Sequence, residues 1–171
     1  MNKKAVLDTS FWINLYNLNL THKLFDLFEV IYVTPRIYRE IIKGKEFNAS
    51  DIPSFENAII NQNIVYLEIK EQKVTEIKNY VDSSSGEAEL LAVLLKDPEL
   101  VLLIDDSDVF WFMEHKNLIH LTTANIVVSL FATNPLKYED AKKCLQKLYG
   151  VLKRQVVEAA LDTIEDIRGD K

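Results

Sequence analysis

Hydrophobic residues follow two kinds of pattern along this chain. Short continuous apolar runs, such as Ala-Val-Leu at residues 5–7 and Val-Leu-Leu-Ile at residues 101–104, lie between polar residues or proline. Runs of this length and composition are typical of strands that are buried on both faces. Other segments, such as residues 87–96, repeat apolar residues every three or four positions, as one face of a helix does. The pattern therefore predicts strands that alternate with helices.

Five strands are expected, at residues 5–7, 30–33, 64–69, 101–104 and 119–121. Helices are expected at residues 11–20, 23–28, 35–42, 53–62, 71–80, 87–96, 108–116, 126–131, 138–149 and 151–167. Thr34 and Pro35 are typical of an N-cap followed by the first residue of a helix. The Ser-Ser-Ser-Gly run at residues 83–86 is the clearest break in the chain.

Strands that alternate with helices imply a parallel sheet covered by helices on both faces. We therefore predict an α/β fold, a three-layer α/β/α sandwich with a mostly parallel five-stranded sheet. Four glycines and four prolines in 171 residues leave little room for a linker. Residues 1–171 are accordingly expected to form a single domain, with residues 126–171 as its helical C-terminal part.

Composition excludes several classes of protein. One cysteine, Cys144, rules out an internal disulfide framework and a Cys-rich zinc site, and His22, His115 and His120 lack the helical pairing of a zinc protease. No apolar run approaches the roughly 20 residues that span a membrane, and Asp8 interrupts any signal-peptide core. We therefore expect a cytoplasmic protein that does not associate with a membrane. The net charge of −6 argues against nucleic-acid binding through bulk charge.

Several acidic residues lie where predicted strands and helices begin or end. Asp8 directly follows the first strand, and Asp105 and Asp106 directly follow the fourth. Glu40 lies in the helix after the second strand, and Glu87 lies in the first turn of the helix after the serine-rich break. Because ligands bind at the carboxyl ends of parallel strands, these acids can meet in one crevice.

Such a crevice would hold carboxylates without histidine or thiolate ligands. Neighbouring carboxylates stay ionised together only beside a cation, and hard oxygen ligands select Mg²⁺ or Mn²⁺. An ion of this kind lowers the pKa of a bound water and clamps phosphate oxygens, which suits phosphodiester hydrolysis. Each acid alone also has a structural interpretation: Asp8 as a helix cap, Ser84 with Glu87 as a capping box, Glu40 as a solvated helix residue, and residues 105–107 as a loop and N-cap.

Four short motifs resemble those of a known family. They are Ala-Val-Leu-Asp-Thr-Ser at residues 5–10, Val-Thr-Pro with the later Glu-Ile at residues 33–41, Gly-Glu-Ala-Glu-Leu-Leu-Ala at residues 86–92, and Leu-Leu-Ile-Asp-Asp at residues 102–106. In this order they resemble the PIN-domain nuclease superfamily, within the prokaryotic PIN-like group related to the VapC-type toxin ribonucleases. The resemblance implies a parallel α/β sandwich and Mg²⁺- or Mn²⁺-dependent cleavage of single-stranded or structured RNA.

The resemblance also implies roles for individual residues and for partners. The catalytic acids would be Asp8, Glu40, Glu87 and Asp106, and the metal ligands would be Asp8, Glu87, Asp105 and Asp106. Substrate contacts would come from Thr9, Ser10 and Thr123. Arg36 and Arg39 are candidate phosphate contacts for a separate reason, because they lie near the proposed site in the sequence. The implied partners are an RNA substrate, a second copy in a homodimer, and an antitoxin protein that masks the site. Without the five site acids, 21 acidic residues remain against 20 basic ones, so the net charge no longer excludes RNA.

Two other functions remain open at this point. A PIN-like module that binds nucleic acid or a partner, with a weak or idle metal site, is favoured by two departures from the family pattern. Ser-Asp-Val-Phe-Trp stands at residues 107–111, where the group commonly has an arginine, and Thr-Thr stands at residues 122–123, where it often has Gly-Thr. A small-molecule phosphatase of another α/β family would normally need an Asp-x-Asp motif, which Asp8-Thr9-Ser10 does not supply.

Two further segments have both a structural and a binding interpretation. Phe-Trp-Phe at residues 110–112 would either contact nucleobases or pack in the core, with Trp111 half exposed or at a subunit contact. Six basic residues against two acidic ones between Lys137 and Arg154 would either follow an RNA backbone or form a solvated helix face.

Overall fold

A computed structural model of the chain describes residues 3–43, 52–67, 69–80, 85–106 and 108–169. The strands are β1 (Lys4–Leu7), β2 (Val30–Val33), β3 (Ile64–Tyr66), β4 (Val101–Leu103) and β5 (His120–Leu121). They form one sheet in the order β3-β2-β1-β4-β5, and every pairing between these described strands is parallel.

The helices of the described residues are α1 (Thr9–Asn17), α2 (Thr21–Leu24), α3 (Pro35–Lys43), α4 (Ile52–Ile60), α5 (Glu71–Tyr80), α6 (Ser85–Lys96), α7 (Phe110–His115), α8 (Thr123–Ala132), α9 (Tyr138–Lys147) and α10 (Arg154–Gly169). With the sheet they form the three-layer α/β/α sandwich that the sequence predicts. None of these described helices combines the length and the apolarity that spanning a bilayer requires.

The direction in which the sheet grows changes at β1. From this central strand the chain adds β2 and β3 on one side, and then adds β4 and β5 on the other. Leu7 of β1 lies opposite Leu103 of β4, so these two strands end side by side. In an open parallel sheet the reversal leaves a crevice at the carboxyl ends of the two strands, where ligands bind. The fold therefore places a potential site directly after Leu7 and Leu103.

The central strands are buried because helices cover both of their faces. Ala5, Val6 and Leu7 are fully buried, and all three residues of β4 are buried. At the sheet edge, Val65 and Tyr66 of β3 are exposed. Residues from α9 and α10 belong to the same continuous hydrophobic core as the strands, namely Ala141, Leu145, Val157, Ala160 and Ile164. The C-terminal helices are thus packed onto the sheet layers through shared apolar contacts.

Several element boundaries match the sequence prediction. The bounds of β2 and α5 agree with it residue for residue. At the start of α3, the Thr34 hydroxyl accepts a hydrogen bond from the Ile37 backbone N–H at 3.3 Å, which is the predicted N-cap. The predicted break at residues 83–86 falls partly outside the described residues, since Ser83 and Ser84 are not among them, and α6 begins at Ser85.

Other boundaries were predicted wrongly, and local hydrogen bonds account for three of them. Helix α1 begins at Thr9, before the predicted residue 11, because the Asp8 side chain caps it. Helix α8 begins at Thr123, before the predicted residue 126, because Thr122 and Asn125 form a reciprocal capping box. Helix α7 begins at Phe110 rather than at residue 108, since the Asp106 carboxylate accepts the Asp108 N–H in a turn.

Two apolar runs were predicted to be longer elements than they are. Strand β3 ends at Tyr66, whereas the prediction extended it to residue 69. Helix α10 begins at Arg154, whereas the prediction began it at residue 151. Before α10, Gly150 has a positive φ of 84°, a conformation that no α-helix contains and that glycine adopts without strain. This residue separates α9 from α10.

Candidate functional site

Asp8 lies at the crevice between β1 and β4. Its backbone N–H donates to the Leu103 carbonyl oxygen at 2.9 Å, which continues the pairing of the two strands by one residue. Its carboxylate Oδ2 accepts hydrogen bonds from the Ser10 backbone N–H, at 2.9 Å, and from the Ser10 hydroxyl. Asp8 is therefore both the last residue of the β1 ladder and the N-cap of α1.

The Asp8 carboxyl group is in an unusual electrostatic environment. Its pKa is raised above the ordinary value, mainly because burial removes water from the charged form. The negative charge of Glu40 raises this pKa further, while the hydrogen bonds from Ser10 oppose the shift. Glu40 is positioned by Thr9, whose hydroxyl donates to Glu40 Oε2 at 3.0 Å. The fold thus brings Asp8 and Glu40 close enough for their charges to interact.

Asp105 follows β4 and is held by two helices. Its Oδ1 accepts the Thr123 backbone N–H at 2.7 Å, and its Oδ2 accepts the Thr123 hydroxyl at 2.6 Å. Oδ2 also accepts from the Asn14 side-chain amide of α1 at 2.8 Å. A carboxylate has about four acceptor positions, so these bonds use most of its capacity. Asp105 therefore joins the end of β4 to α1 and to the first turn of α8.

Asp106 occupies a different environment from its neighbour. Its side chain is exposed, and its Oδ1 accepts the Asp108 backbone N–H at 3.0 Å. Asp105 and Asp106 both line a groove of about 540 Å³ together with Ser10 and Asn14. The two aspartates thus differ in role: Asp105 is anchored to α1 and α8, whereas Asp106 presents its carboxylate to the groove and to solvent.

Glu87 and the two arginines lie on α6 and α3. Glu87 is half-buried in the first turn of α6. Arg36 of α3 forms an ion pair with Glu89 at 3.4 Å, and this contact joins α3 to α6. The Arg39 Nε donates to the Pro35 carbonyl oxygen at 3.0 Å. The predicted meeting of all four catalytic acids, with these arginines as phosphate contacts, stays a prediction.

Sequence reasoning missed two residues that build this region. Asn14 has no role in the sequence prediction, although an amide within the apolar segment Phe-Trp-Ile-Asn-Leu of α1 is a signal for a buried polar contact. Glu89 was noted only as part of a motif, yet its Oε2 is buried and, among the described residues, has no hydrogen-bond partner. Its side chain pairs instead through Oε1 with Arg36.

The donor chemistry of the crevice suits a hard divalent cation. Asp8, Asp105 and Asp106 offer carboxylate oxygens and Ser10 offers a hydroxyl, and oxygen ligands of this kind are those that Mg²⁺ and Mn²⁺ prefer. A cation beside Asp8 would also favour the ionised form of a carboxyl whose pKa burial has raised. In the part of the chain that the structure describes, however, no three acidic, histidine or cysteine residues are grouped so that they could hold a metal ion. The fit therefore rests on the chemistry of the donors.

Comparison with known proteins gives one family. No curated protein matches the chain. A family model described as PIN domain matches residues 4–165, which includes all five strands, the crevice and most of α10. The parallel sheet in the order β3-β2-β1-β4-β5 and the acids at the ends of β1 and β4 lie within this match. The chain therefore belongs to the PIN-domain family.

Proposed function

We propose that this protein is a Mg²⁺- or Mn²⁺-dependent endoribonuclease that hydrolyses RNA phosphodiester bonds. PIN domains are generally nucleases, so family membership indicates a nuclease-type module. The observation that carries the finer proposal is the half-buried Asp8 carboxyl, whose pKa is raised, beside Glu40 in the crevice where Asp105 and Asp106 follow the neighbouring strand. Neighbouring carboxylates stay ionised together more readily beside a cation, so acids at the carboxyl edge of the sheet favour cation binding there.

The proposed metal ligands are Asp8, Glu87, Asp105 and Asp106, with Glu40 as a further catalytic acid. A bound Mg²⁺ or Mn²⁺ supplies Lewis-acid activation of water and offsets the charge of the phosphate. The chain's own residues position this chemistry. Ser10 orients the Asp8 carboxylate, while Asn14 and Thr123 fix Asp105 and thereby the backbone that presents Asp106 to the groove.

Substrate contacts are proposed for residues around the same crevice. Thr9, Ser10 and Thr123 are the proposed hydroxyl contacts to phosphate oxygens. In the structure each hydroxyl donates to an acid, namely Glu40, Asp8 and Asp105 respectively, so each must release that acid before it can donate to a phosphate. Arg36 and Arg39 on α3 are the proposed contacts to the RNA backbone, although each also binds an acceptor within the protein. Their contribution to RNA affinity should therefore be modest and should depend on ionic strength.

Cleavage of labelled RNA tests this proposal. Purified protein should cleave RNA in Mn²⁺ or Mg²⁺ and lose this activity in chelator, and both Asp8→Asn and Asp106→Asn should abolish cleavage. Asp162→Asn, which changes an exposed acid on α10, is the matched control and should cleave like wild type. Because a ligand that binds only the folded state stabilises it, Mn²⁺ should also raise the Tm of wild type more than that of Asp8→Asn. Equal residual cleavage by wild type and Asp8→Asn would contradict the proposal.

A second candidate function is a nucleic-acid- or partner-binding module with a weak metal site. It is favoured by the hydrogen bonds that occupy Asp105, and by the finding that no metal-holding group of three such residues exists among the described ones. Under this alternative, wild type would bind RNA saturably but would show no metal-dependent cleavage above that of Asp8→Asn. The cleavage assay and a binding assay on the same preparation therefore separate the two functions.

The kinship to VapC-type toxins is a further part of the proposal. We infer a cytoplasmic homodimeric toxin whose site is masked by an antitoxin, which a small adjacent open reading frame would encode. Expression of wild type, but not of Asp8→Asn, should arrest growth, and co-expression of the adjacent product should relieve the arrest. Light scattering should give twice the chain mass. Normal growth with active wild-type enzyme, or a monomeric mass, would contradict these assignments.

A further inference from the structure

The groove at Asp105 and Asp106 has a second wall that neither the acids nor the strand ends provide. Val151, Leu152 and Lys153 of the α9–α10 connection line it, together with Val156 of α10 and Phe110 at the start of α7. Its volume of about 540 Å³ lies within the range of about 300–1,000 Å³ that small-molecule sites occupy. One groove therefore joins a carboxylate wall to a wall that is apolar and carries a lysine.

The backbone of this second wall is fixed by its own contacts. The Val151 and Leu152 N–H groups both donate to the Leu148 carbonyl oxygen at 3.0 Å, and Tyr149 forms a bridge with Leu152. Leu152 is buried in the core, whereas the Val151 side chain is 53% exposed. The turn is thus anchored from below by Leu152, and it presents Val151 and the exposed Lys153 outward.

Phe110 is also held in place. Its ring packs on the His120 ring with centroids 4.3 Å apart, which fixes one side of the half-buried phenylalanine. Burial lowers the pKa of His120, which favours the neutral form of this neighbour. The ring contact therefore preorganises the aromatic surface beside the acids.

We propose that this second wall binds a nucleotide of single-stranded RNA, with Lys153 contacting a phosphate and with Phe110 and Val151 contacting a base. The inference rests on the proposed function and adds the substrate-positioning residues of the same site. Lys153 is the only basic residue among the described residues that line the groove. It stands in a lining set that otherwise carries the negative charges of Asp105 and Asp106, so it is the group that favours a phosphate there.

The apolar part of the wall selects an unpaired nucleotide. Phe110, Val151 and Val156 suit contact with the face of a base, and a duplex keeps the faces of its bases inside the stack. Aromatic side chains bind successive unpaired bases by stacking, without regard to sequence. The groove is therefore expected to prefer single strands to duplexes and to show little sequence preference of its own.

Salt-dependent binding of a fluorescent single-stranded oligoribonucleotide tests the role of Lys153. The titration is followed by anisotropy in chelator, so that it is independent of cleavage. Because each phosphate contact contributes a slope of about 0.7 in log K against log salt, Lys153→Ala should weaken binding and reduce the slope by about 0.7. Lys153→Arg should restore the slope. The matched control is Lys78→Ala, an exposed lysine on α5 outside the groove lining, which should leave the slope unchanged.

A pair of variants, one in the groove and one beside it, tests the aromatic contact. Phe110→Leu should weaken binding about fivefold or more without changing the salt slope, since stacking is not an ionic contact. Trp111→Leu removes the neighbouring exposed ring, which does not line the groove, and should have no effect. A melting curve for each variant confirms that it is folded. In the same binding assay, an RNA duplex of the same sequence should bind wild type more weakly than the single strand does.

Two outcomes would overturn the inference. One is an absence of saturable binding by wild type, and the other is an equal salt slope for Lys153→Ala and Lys78→Ala. The two assays distinguish a failure of the inference from a failure of the proposed function. Loss of binding in Lys153→Ala without any metal-dependent cleavage by wild type would uphold the groove and refute the nuclease. Cleavage that is unaffected by Lys153→Ala, with unchanged binding, would uphold the nuclease and refute the groove.

Discussion

The surroundings of Asp8 have two opposite effects on the ionisation of its carboxyl group. As the N-cap of α1 it accepts the Ser10 N–H, and the partial positive charge of the helix N-terminus favours its ionised form. Burial and the neighbouring charge of Glu40 disfavour the same ionised form, and their combined effect is the larger because the pKa is raised. At neutral pH the ionised carboxylate therefore reduces the stability of the folded protein.

We predict that Asp8→Asn stabilises the protein at pH 7 while it abolishes the proposed activity. Asparagine keeps the side-chain oxygen that caps α1, but it removes the cost of burying a charge. The gain should lie within the about 0.5–2 kcal/mol that stabilising substitutions commonly give. Thermal melts of both proteins measure it.

The pH dependence of this difference follows from the raised pKa. The folded state holds the Asp8 proton more tightly than the unfolded state, so wild type loses stability as the pH rises from the ordinary value of 3.8 through the raised one. The difference in the free energy of unfolding between wild type and Asp8→Asn should therefore become smaller as the pH falls towards 4. Asp8→Ala is the control, since it also removes the cap and should recover about 1 kcal/mol less. A lower stability of Asp8→Asn than of wild type at pH 7 would contradict the prediction.

At the scale of elements, Asp105 connects three parts of the fold. It follows β4, accepts the Asn14 amide from α1, and accepts both the N–H and the hydroxyl of Thr123 at the start of α8. Thr123 is fully buried, so the hydrogen bond from its hydroxyl is shielded from water. The relative positions of α1, β4 and α8 around the groove thus depend on one carboxylate.

Thr123→Val should destabilise the protein by about 1–3 kcal/mol, because it removes a buried donor to a charged acceptor while keeping the shape of the side chain. Amide hydrogen exchange should speed up in the first turn of α8 and at the end of β4. Thr123→Ser retains the hydroxyl and should stay closer to wild type. If valine and serine variants unfold at the same denaturant concentration, the hydroxyl contact does not contribute as described.

At the scale of the whole molecule, one hydrophobic core extends through the sheet and the C-terminal helices. Val6 of β1, Leu102 of β4, Leu145 of α9 and Ile164 of α10 all belong to it. A core shared in this way favours cooperative unfolding, since no part of the chain can leave it without exposing apolar surface of the rest. The organisation of residues 1–171 as a single domain remains a prediction that unfolding can test.

Urea unfolding should show one transition that is the same by two probes. Trp12 is fully buried in α1 and reports through its fluorescence on the sheet layers, whereas circular dichroism follows all helices, including α9 and α10. Coincident midpoints and equal slopes indicate a single cooperative unit. A helical signal that outlasts or precedes the fluorescence change would show that residues 126–171 unfold separately.

Much of the fold could be predicted because it depends on local pattern. Buried parallel strands are short apolar runs, so β1, β2 and β4 were placed within one residue. The starts of α7 and α8 were placed wrongly, since they depend on whether a particular side chain bonds a particular backbone N–H. The pattern of apolar residues is the same whether or not such a hydrogen bond forms, so the pattern does not locate the first residue of the helix.

The candidate site divides in the same way. The sequence alone determined the parallel α/β class and placed Asp8, Asp105 and Asp106 at strand ends, because strand direction and hydrophobic period are local properties. Only the tertiary structure decided that Asn14 binds Asp105, 91 positions away, and that Phe110 and Lys153 line one groove. Contacts of this kind depend on how helices pack across the sheet, and packing is decided by the shapes of many side chains together.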